Sequence, residues 1–505
     1  MTRHPSFRTL TLVLALAAAL PAAAQDMAAF EKNLTVRTLP NGLTVLVYRR
    51  PVAPVFSFFT YVDVGAAQEV PGITGLAHMF EHMAFKGTSV IGTKDFEGEK
   101  KALASVDEAY RAYDAERRKP GGADAKKLEE LKKSFKDAQE AADRFIEKNE
   151  FSRIVDGEGG VGMNASTSSD QTVYFYSLPA NKVELWAYLE SSRFLDPVFR
   201  EFYKERDVVM EERRLRTEST PGGRLFEQFT ATAFLAHPYK QPVVGYMSDL
   251  QSFSREDAER FYKTYYVPAN ITVAIVGDVK ADDVLPLVET YFGRLPAGPK
   301  PPPLRTVEPP QTAEKSVVIQ DPSQPVYLEA YHRPDDSDPD DAVYEVIADV
   351  LSSGRTSRLY RSLVRDKKIA ATAGVLNGLP GTKYPTLIGV RATPTPGHTN
   401  AEAQAAIREQ LERLKTEPVT DAELKMVKTR AKASLIRGLA DNRGIAGALA
   451  VSQARYGDWR EIFRSVDRIE KVTKEDVMRV AKATFVETNR TVGTIEHAEP
   501  AKAAK

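Results

Sequence analysis

The stretch Ser254-Arg255-Glu256-Asp257…Arg260…Lys263…Val267…Asn270…Thr272-Val273 returns as Thr473-Lys474-Glu475-Asp476…Arg479…Lys482…Val486…Asn489…Thr491-Val492, at a constant offset of 473 − 254 = 219. Eight of these positions are identical and no gap intervenes. Each copy opens on a hydroxyl residue followed by acids, the pattern of a capped helix start, and closes on a β-branched run suited to a buried strand. An ungapped repeat of this kind predicts two domains of related fold. Helices and strands mix in both halves without a βαβ alternation, so the predicted class is α+β.

The join between the copies is visible in composition. Residues 296–310 hold seven prolines (296, 299, 301, 302, 303, 309, 310), a stretch that behaves as a stiff extended spacer rather than as helix or central strand. The expected domains are 28–295 and 313–497, with a linker at 296–312 and a tail at 498–505. Within the first half, Asn41-Gly42 supplies two φ > 0 positions for a tight turn in a hairpin over Thr35–Val47, and Val55–Val64 reads as a strand buried on both faces. Val161–Tyr176 reads as two strands joined around Ser168-Ser169-Asp170. Residues 97–150 differ in kind: they are dense in Lys, Glu and Asp and broken at Pro120-Gly121-Gly122. Leu128, Leu131, Phe135, Ala138, Ala142 and Phe145 recur at spacings of three or four, with Glu129 and Lys133 as an i,i+4 pair. An exposed, inserted antiparallel helical hairpin is expected there.

Several function classes fall away on composition. Lys+Arg is 69 and Asp+Glu is 69, so no global field draws the chain to nucleic acid. There is no cysteine, which removes disulfide frameworks, thiolate metal sites and cysteine nucleophiles. Arg3, His4 and Arg8 precede the apolar run Leu10–Leu20, then Pro21 and Ala22-Ala23-Ala24, which is the pattern of a secretory signal (1–24) cleaved near Ala24. The run is short for a bilayer, which needs about 20 residues, so no stable membrane span is expected. The expectation is an exported protein, periplasmic in location.

The chemistry is concentrated in His78-Met79-Phe80-Glu81-His82. Thr74 as N-cap and Gly87 as C′ residue bracket a short helix, on which residues i and i+4 share one face about 6 Å apart along the axis. Two imidazoles so placed can chelate one small cation, and Glu81 lies beside them. At average usage about 500 × (7/505)² × 0.07, on the order of 0.01, such pentapeptides arise by chance. Zinc needs a third protein ligand and leaves a fourth position open. His237, His332, His398 and His497 are isolated and read as structural. Glu205 and Glu212, seven apart and so about 10 Å apart on one helical face, are both candidates, though only one can reach the metal.

With Gly75-Leu76-Ala77 before it and Met83-Ala84-Phe85-Lys86-Gly87-Thr88 after it, the motif resembles the inverted zinc motif of the pitrilysin/insulinase-type peptidases, notably the mitochondrial processing peptidase and its bacterial relatives. Asn164-Ala165…Thr167…Asp170…Thr172-Val173-Tyr174 and Glu205-Arg206…Val208-Val209…Glu212 match in order. The resemblance implies that His78, His82 and Glu212 bind one zinc per chain, that Glu81 is the general base, and that Glu205 supports the site from behind. It implies two similar domains facing each other as a clamshell around a chamber, with the substrate peptide added to a strand edge around Met163-Asn164-Ala165, where backbone pairing holds an extended chain.

Two departures from the pattern stand out. The interval 212 − 82 = 130 residues is long for the family because of the block 97–150. In Ser357-Arg358-Leu359-Tyr360…Leu363-Val364-Arg365…Thr372, Arg365 stands where relatives place a substrate-binding Arg, but Thr372 occupies the place of a Tyr seven residues on. A homologous partner subunit, or a second copy of the chain, is therefore expected to complete the site. The expected function is an exported zinc endopeptidase acting on peptides or unfolded polypeptides through a metal-activated water. The alternative is a metal-binding but catalytically silent scaffold or binding subunit.

Overall fold

The computed structural model describes residues 27–498; the expected leader and all but the first residue of the expected tail lie outside them. Six strands precede the Pro-rich segment: β1 (Leu34–Thr38), β2 (Thr44–Arg49), β3 (Val55–Val62), β4 (Val161–Thr167), β5 (Thr172–Pro179) and β6 (Ile271–Gly277). They form one sheet in the order β1-β2-β6-β3-β5-β4. Five follow it: β7 (Lys315–Asp321), β8 (Val326–Arg333), β9 (Ala370–Leu379), β10 (Thr386–Pro394) and β11 (Arg490–His497), in the order β7-β11-β8-β10-β9. The molecule is thus an α+β protein with two sheets.

The repeat maps onto equivalent places. β6 pairs parallel with β2 and antiparallel with β3, and β11 pairs parallel with β7 and antiparallel with β8. The helices that feed these strands, Arg255–Tyr265 and Lys474–Thr484, both start on reciprocal capping boxes, Ser254 with Asp257 and Thr473 with Asp476. The repeated asparagines do the same work. Asn270 Nδ2 donates to the carbonyls of Tyr265 and Asp63, and Asn489 Nδ2 to those of Thr484 and His332, tying each helix end to the neighbouring strand.

Six helices build and frame the site: α1 (Leu76–Met83), α2 (Phe96–Arg117), α3 (Ala125–Asp143), α4 (Phe202–Arg213), α5 (Pro221–Ala233) and α6 (Asn442–Tyr456). The two halves exchange helices. α5 lies on the second sheet, where Leu225, Phe229 and Ala233 pack with Val326, Leu328, Ala330, Leu387 and Ile495. Reciprocally, α6 covers the first sheet, with Ile445, Ala446, Leu449 and Ala450 against Leu46, Tyr61, Val173, Ala274 and Val276. Asp170, in the β4–β5 turn, adds a polar tie by accepting from the Tyr239 hydroxyl and from the Thr382 (2.8 Å) and Lys383 (3.2 Å) amides.

Three local expectations are corrected. The β1–β2 connection spans residues 39–43 rather than two residues: only Gly42 has positive φ, and Asn41 instead donates its amide to the carbonyls of Phe292 and Leu295. The charged block does fold as two helices packed on each other, but Leu103, Val106, Tyr110, Phe135 and Ala142 join the main core, so the pair is a fixed wall rather than an exposed appendage. Lys133 pairs with Asp137 (2.7 Å) and not with Glu129.

Candidate metal centre

α1 is short and almost wholly buried, with Leu76, Ala77, Met79, Phe80 and Met83 in the core and the two imidazoles on its remaining face. Its N-terminus is not capped by Thr74. The N-cap is Gly75, at φ 95, where a Cβ would meet the Val244 carbonyl at 2.8 Å, so a side chain there is excluded on two grounds. The orphan amides are taken instead by the Glu69 carboxylate, which accepts from Gly75 (2.8 Å) and Ala77 (2.7 Å), while Thr74 donates its hydroxyl to Asp249. Burial pushes Glu69 up to about 8 against the pull of those two amides. The helix ends at Met83, four residues before Gly87, so Gly87 is not its C′ residue.

α4 carries the carboxylates. Glu212 Oε2 lies 3.3 Å from His82 Nε2 and 3.7 Å from His78 Nε2, and the ligand atoms of His78, His82 and Glu212 all fall within 4.8 Å of one another. The other Glu212 oxygen is held by Arg216 at 2.6 Å. A tetrahedral ion at about 2.0–2.2 Å from N and O donors has ligand–ligand edges of about 3.3–3.6 Å, close to the 3.3 and 3.7 Å that separate Glu212 from the two imidazoles. Burial lowers His78 to about 4, which keeps its imidazole in the neutral form a metal requires. His82 Nδ1 faces Glu205 Oε2 at 3.4 Å, leaving Nε2 for the cluster. Burial opposes the ionisation of Glu205, but the His82 and Lys86 hydrogen bonds outweigh it and its net shift is downward. Glu81 is half-buried beside the pair; burial raises it, partly offset by the side chain and backbone amide of Thr167.

The remaining expected residues divide. Met163, Asn164 and Ala165 lie on β4, the outermost strand of its sheet, and β4 packs against α1, so this edge runs beside the cluster. Arg365 lies in the π-helical segment Tyr360–Asp366, is 57% exposed, and is engaged by its neighbour Asp366 rather than by any member of the cluster. Thr372 stands on β9, the outermost strand of the second sheet, opposite Thr393. His237, His332, His398 and His497 make contacts elsewhere, with the Tyr239 amide, the Ala233 carbonyl, Glu402 and the Ser323 carbonyl. Glu69, Lys86, Glu201 and Arg216 escaped the sequence reading; Lys86 (i+4 from His82), Glu201 (i−4 from Glu205) and Arg216 (i+4 from Glu212) carried a local spacing signal, and Glu69 carried none.

Comparison with known proteins finds likenesses along most of the chain. A family model described as "Insulinase (Peptidase family M16)" matches residues 44–115, and one described as "Peptidase M16 inactive domain" matches 252–431. The zinc protease PqqE of Helicobacter pylori is 28% identical over 469 residues, covering 90% of each chain. A crystal structure of a protease from Helicobacter pylori superposes with a TM-score of 0.76 at 26% identity, over 92% of this chain and 99% of that one. The periplasmic protease PqqL from Escherichia coli shares the fold at 17% identity, with a TM-score of 0.67, over 92% of this chain and 48% of that one. With its inverted His-x-x-Glu-His helix and duplicated sheets, the chain matches M16 peptidase models in both halves and is similar to zinc proteases over nine-tenths of its length.

Proposed function

We propose that the chain is an exported zinc-dependent endopeptidase, with His78, His82 and Glu212 as metal ligands and Glu81 as general base. The observation that carries this reading is the convergence of two imidazoles from α1 and one carboxylate from α4 on a single point, across 130 residues (212 − 82). Zinc held there supplies Lewis acidity, acidifying a water and polarising a peptide carbonyl. Glu81, on the same face of α1 and steadied by Thr167, takes the proton from the water and returns it to the leaving amine. Glu205 fixes the His82 tautomer through Nδ1. The free edge of β4 offers backbone donors and acceptors to an extended peptide around Met163, Asn164 and Ala165. Among the described residues no helix is long and apolar enough to cross a membrane. Export to the periplasm rests on the signal-like pattern of residues 1–24.

The test is metal analysis and peptide hydrolysis on the pure chain beside Glu81→Gln. The variant is expected to bind zinc as the wild type does and to lose hydrolysis by a factor of about 10² or more. Normal hydrolysis by Glu81→Gln refutes the mechanism. A second reading, a metal-binding but silent scaffold or binding subunit, is favoured by one observation: Arg365 is turned onto Asp366 and Thr372 offers only a short hydroxyl. On that reading, hydrolysis appears only when a homologous partner or second copy is added, or never.

A further inference from the structure

Lys86 has no part in the reading above, and the geometry points to it as a positioning residue: its ammonium holds Glu205 in the pose that orients His82, and the charged hairpin sets where Lys86 stands. The inference rests on His78, His82 and Glu212 being the metal ligands. Glu205 uses its two oxygens separately, Oε2 toward His82 Nδ1 at 3.4 Å and Oε1 toward Lys86 Nζ at 2.6 Å. Lys86 also binds Glu201 at 3.0 Å. Lys86 thus stands between two carboxylates, Glu201 and Glu205, and like charges so close would push Glu205 outward without that cation. Glu201 even adopts the left-handed region, at φ 57, which non-glycine residues avoid, and in that conformation its carboxylate meets the same ammonium.

Lys86 lies just past the end of α1, and its amide donates to the Met83 carbonyl at 3.2 Å. The loop that carries it onward is held by Arg200, which donates to the carbonyls of Lys86 (2.5 Å), Ile91 (2.9 Å) and Thr88 (2.6 Å). Arg200 is in turn paired with Glu99 in the first turn of α2, at 2.8 and 3.2 Å, and both side chains are 1% exposed. A buried ion pair contributed by the hairpin therefore clamps the loop that presents Lys86, giving a relay Glu99–Arg200–Lys86–Glu205–His82. Other contacts between the hairpin and α4 follow the same logic, including Arg206 donating to the Tyr110 hydroxyl and Phe135 packing edge-on against Tyr203.

The experiment measures zinc affinity of the full chain by competition with a chromogenic chelator, with thermal unfolding in parallel. Lys86→Met is expected to weaken zinc binding about 10–100-fold, the usual cost of removing an outer support of a metal ligand, and Lys86→Arg to recover most of the loss. Lys86→Gln carries the same expectation as Lys86→Met and keeps the test open should the latter not fold. Lys133→Gln, on the exposed face of α3, is expected to bind zinc unchanged. Zinc affinity within twofold of wild type in Lys86→Met or Lys86→Gln, with Glu205→Gln weakened, overturns the inference. So does Lys86→Arg binding as weakly as Lys86→Met. Wild-type affinity in both His82→Gln and Glu212→Gln is a different failure: it overturns the metal centre itself, and the inference with it.

Discussion

Glu99→Gln differs from the native side chain by one atom, yet it has a large consequence for the loop beside the candidate metal centre. All five N–H groups of Arg200 are engaged: two by Glu99 and three by the carbonyls of Lys86, Ile91 and Thr88. A glutamine can accept from only one of the two donors with its oxygen; its NH₂ then confronts the other, and the guanidinium charge loses its counter-ion in a place 1% exposed. Breaking one partner of a buried pair costs about 3–5 kcal/mol, and at about 1.4 kcal/mol per decade that is roughly two to three and a half decades in an opening equilibrium. The cost falls on the segment Arg200 clamps, residues 86–91. Hydrogen-exchange mass spectrometry is expected to show peptides over 84–92 exchanging roughly 10²–10³-fold faster in Glu99→Gln, with those over β2 and β6 unchanged. Protection over 84–92 within threefold of wild type would refute the claim that the hairpin anchors this loop.

Further outcomes are expected elsewhere. Glu69 is pushed by burial up to about 8, against 4.5 for an ordinary glutamate, so the folded state holds a proton that the unfolded chain releases. Stability from this group is therefore present below about pH 4.5 and is lost as pH rises toward 8; Glu69→Gln should escape that loss, by a few kcal/mol at most. Unfolding midpoints of the two proteins should thus diverge in favour of Glu69→Gln between pH 5 and 8, and a gap that stays flat or narrows counts against the assignment. Asp170→Ala removes the oxygen that accepts from both the Thr382 and Lys383 amides, at a cost of about 1–3 kcal/mol. Amide exchange at Thr382 and Lys383 should then rise roughly ten- to hundredfold, and unchanged protection there would show that the two halves do not depend on this tie.

Much of the site is legible in the amino-acid sequence because helical periodicity is local. His78 and His82 are one turn apart, and the α1 backbone alone puts them on one face. Cap residues are less reliable: Thr74 has the right chemistry for the start of α1, but its hydroxyl is spent on Asp249, and Glu69, several residues upstream, serves the helix instead. Asn41-Gly42 misled in the same way, since the Asn41 amide finds carbonyls 251 and 254 residues away that no turn rule anticipates.

The amino-acid order by itself determined the duplicated α+β plan, the paired imidazoles and the candidate carboxylates Glu205 and Glu212, because each follows from backbone period, capping or repetition over short distances. Tertiary structure decided which glutamate faces both imidazoles, since that depends on how α4 crosses α1. It also decided that α5 and α6 cover each other's sheets and that Glu99 reaches Arg200 across 101 residues. Those choices are made by packing between distant segments, where the burial of apolar faces and the pairing of charges cut off from water select one arrangement among many that the local pattern allows.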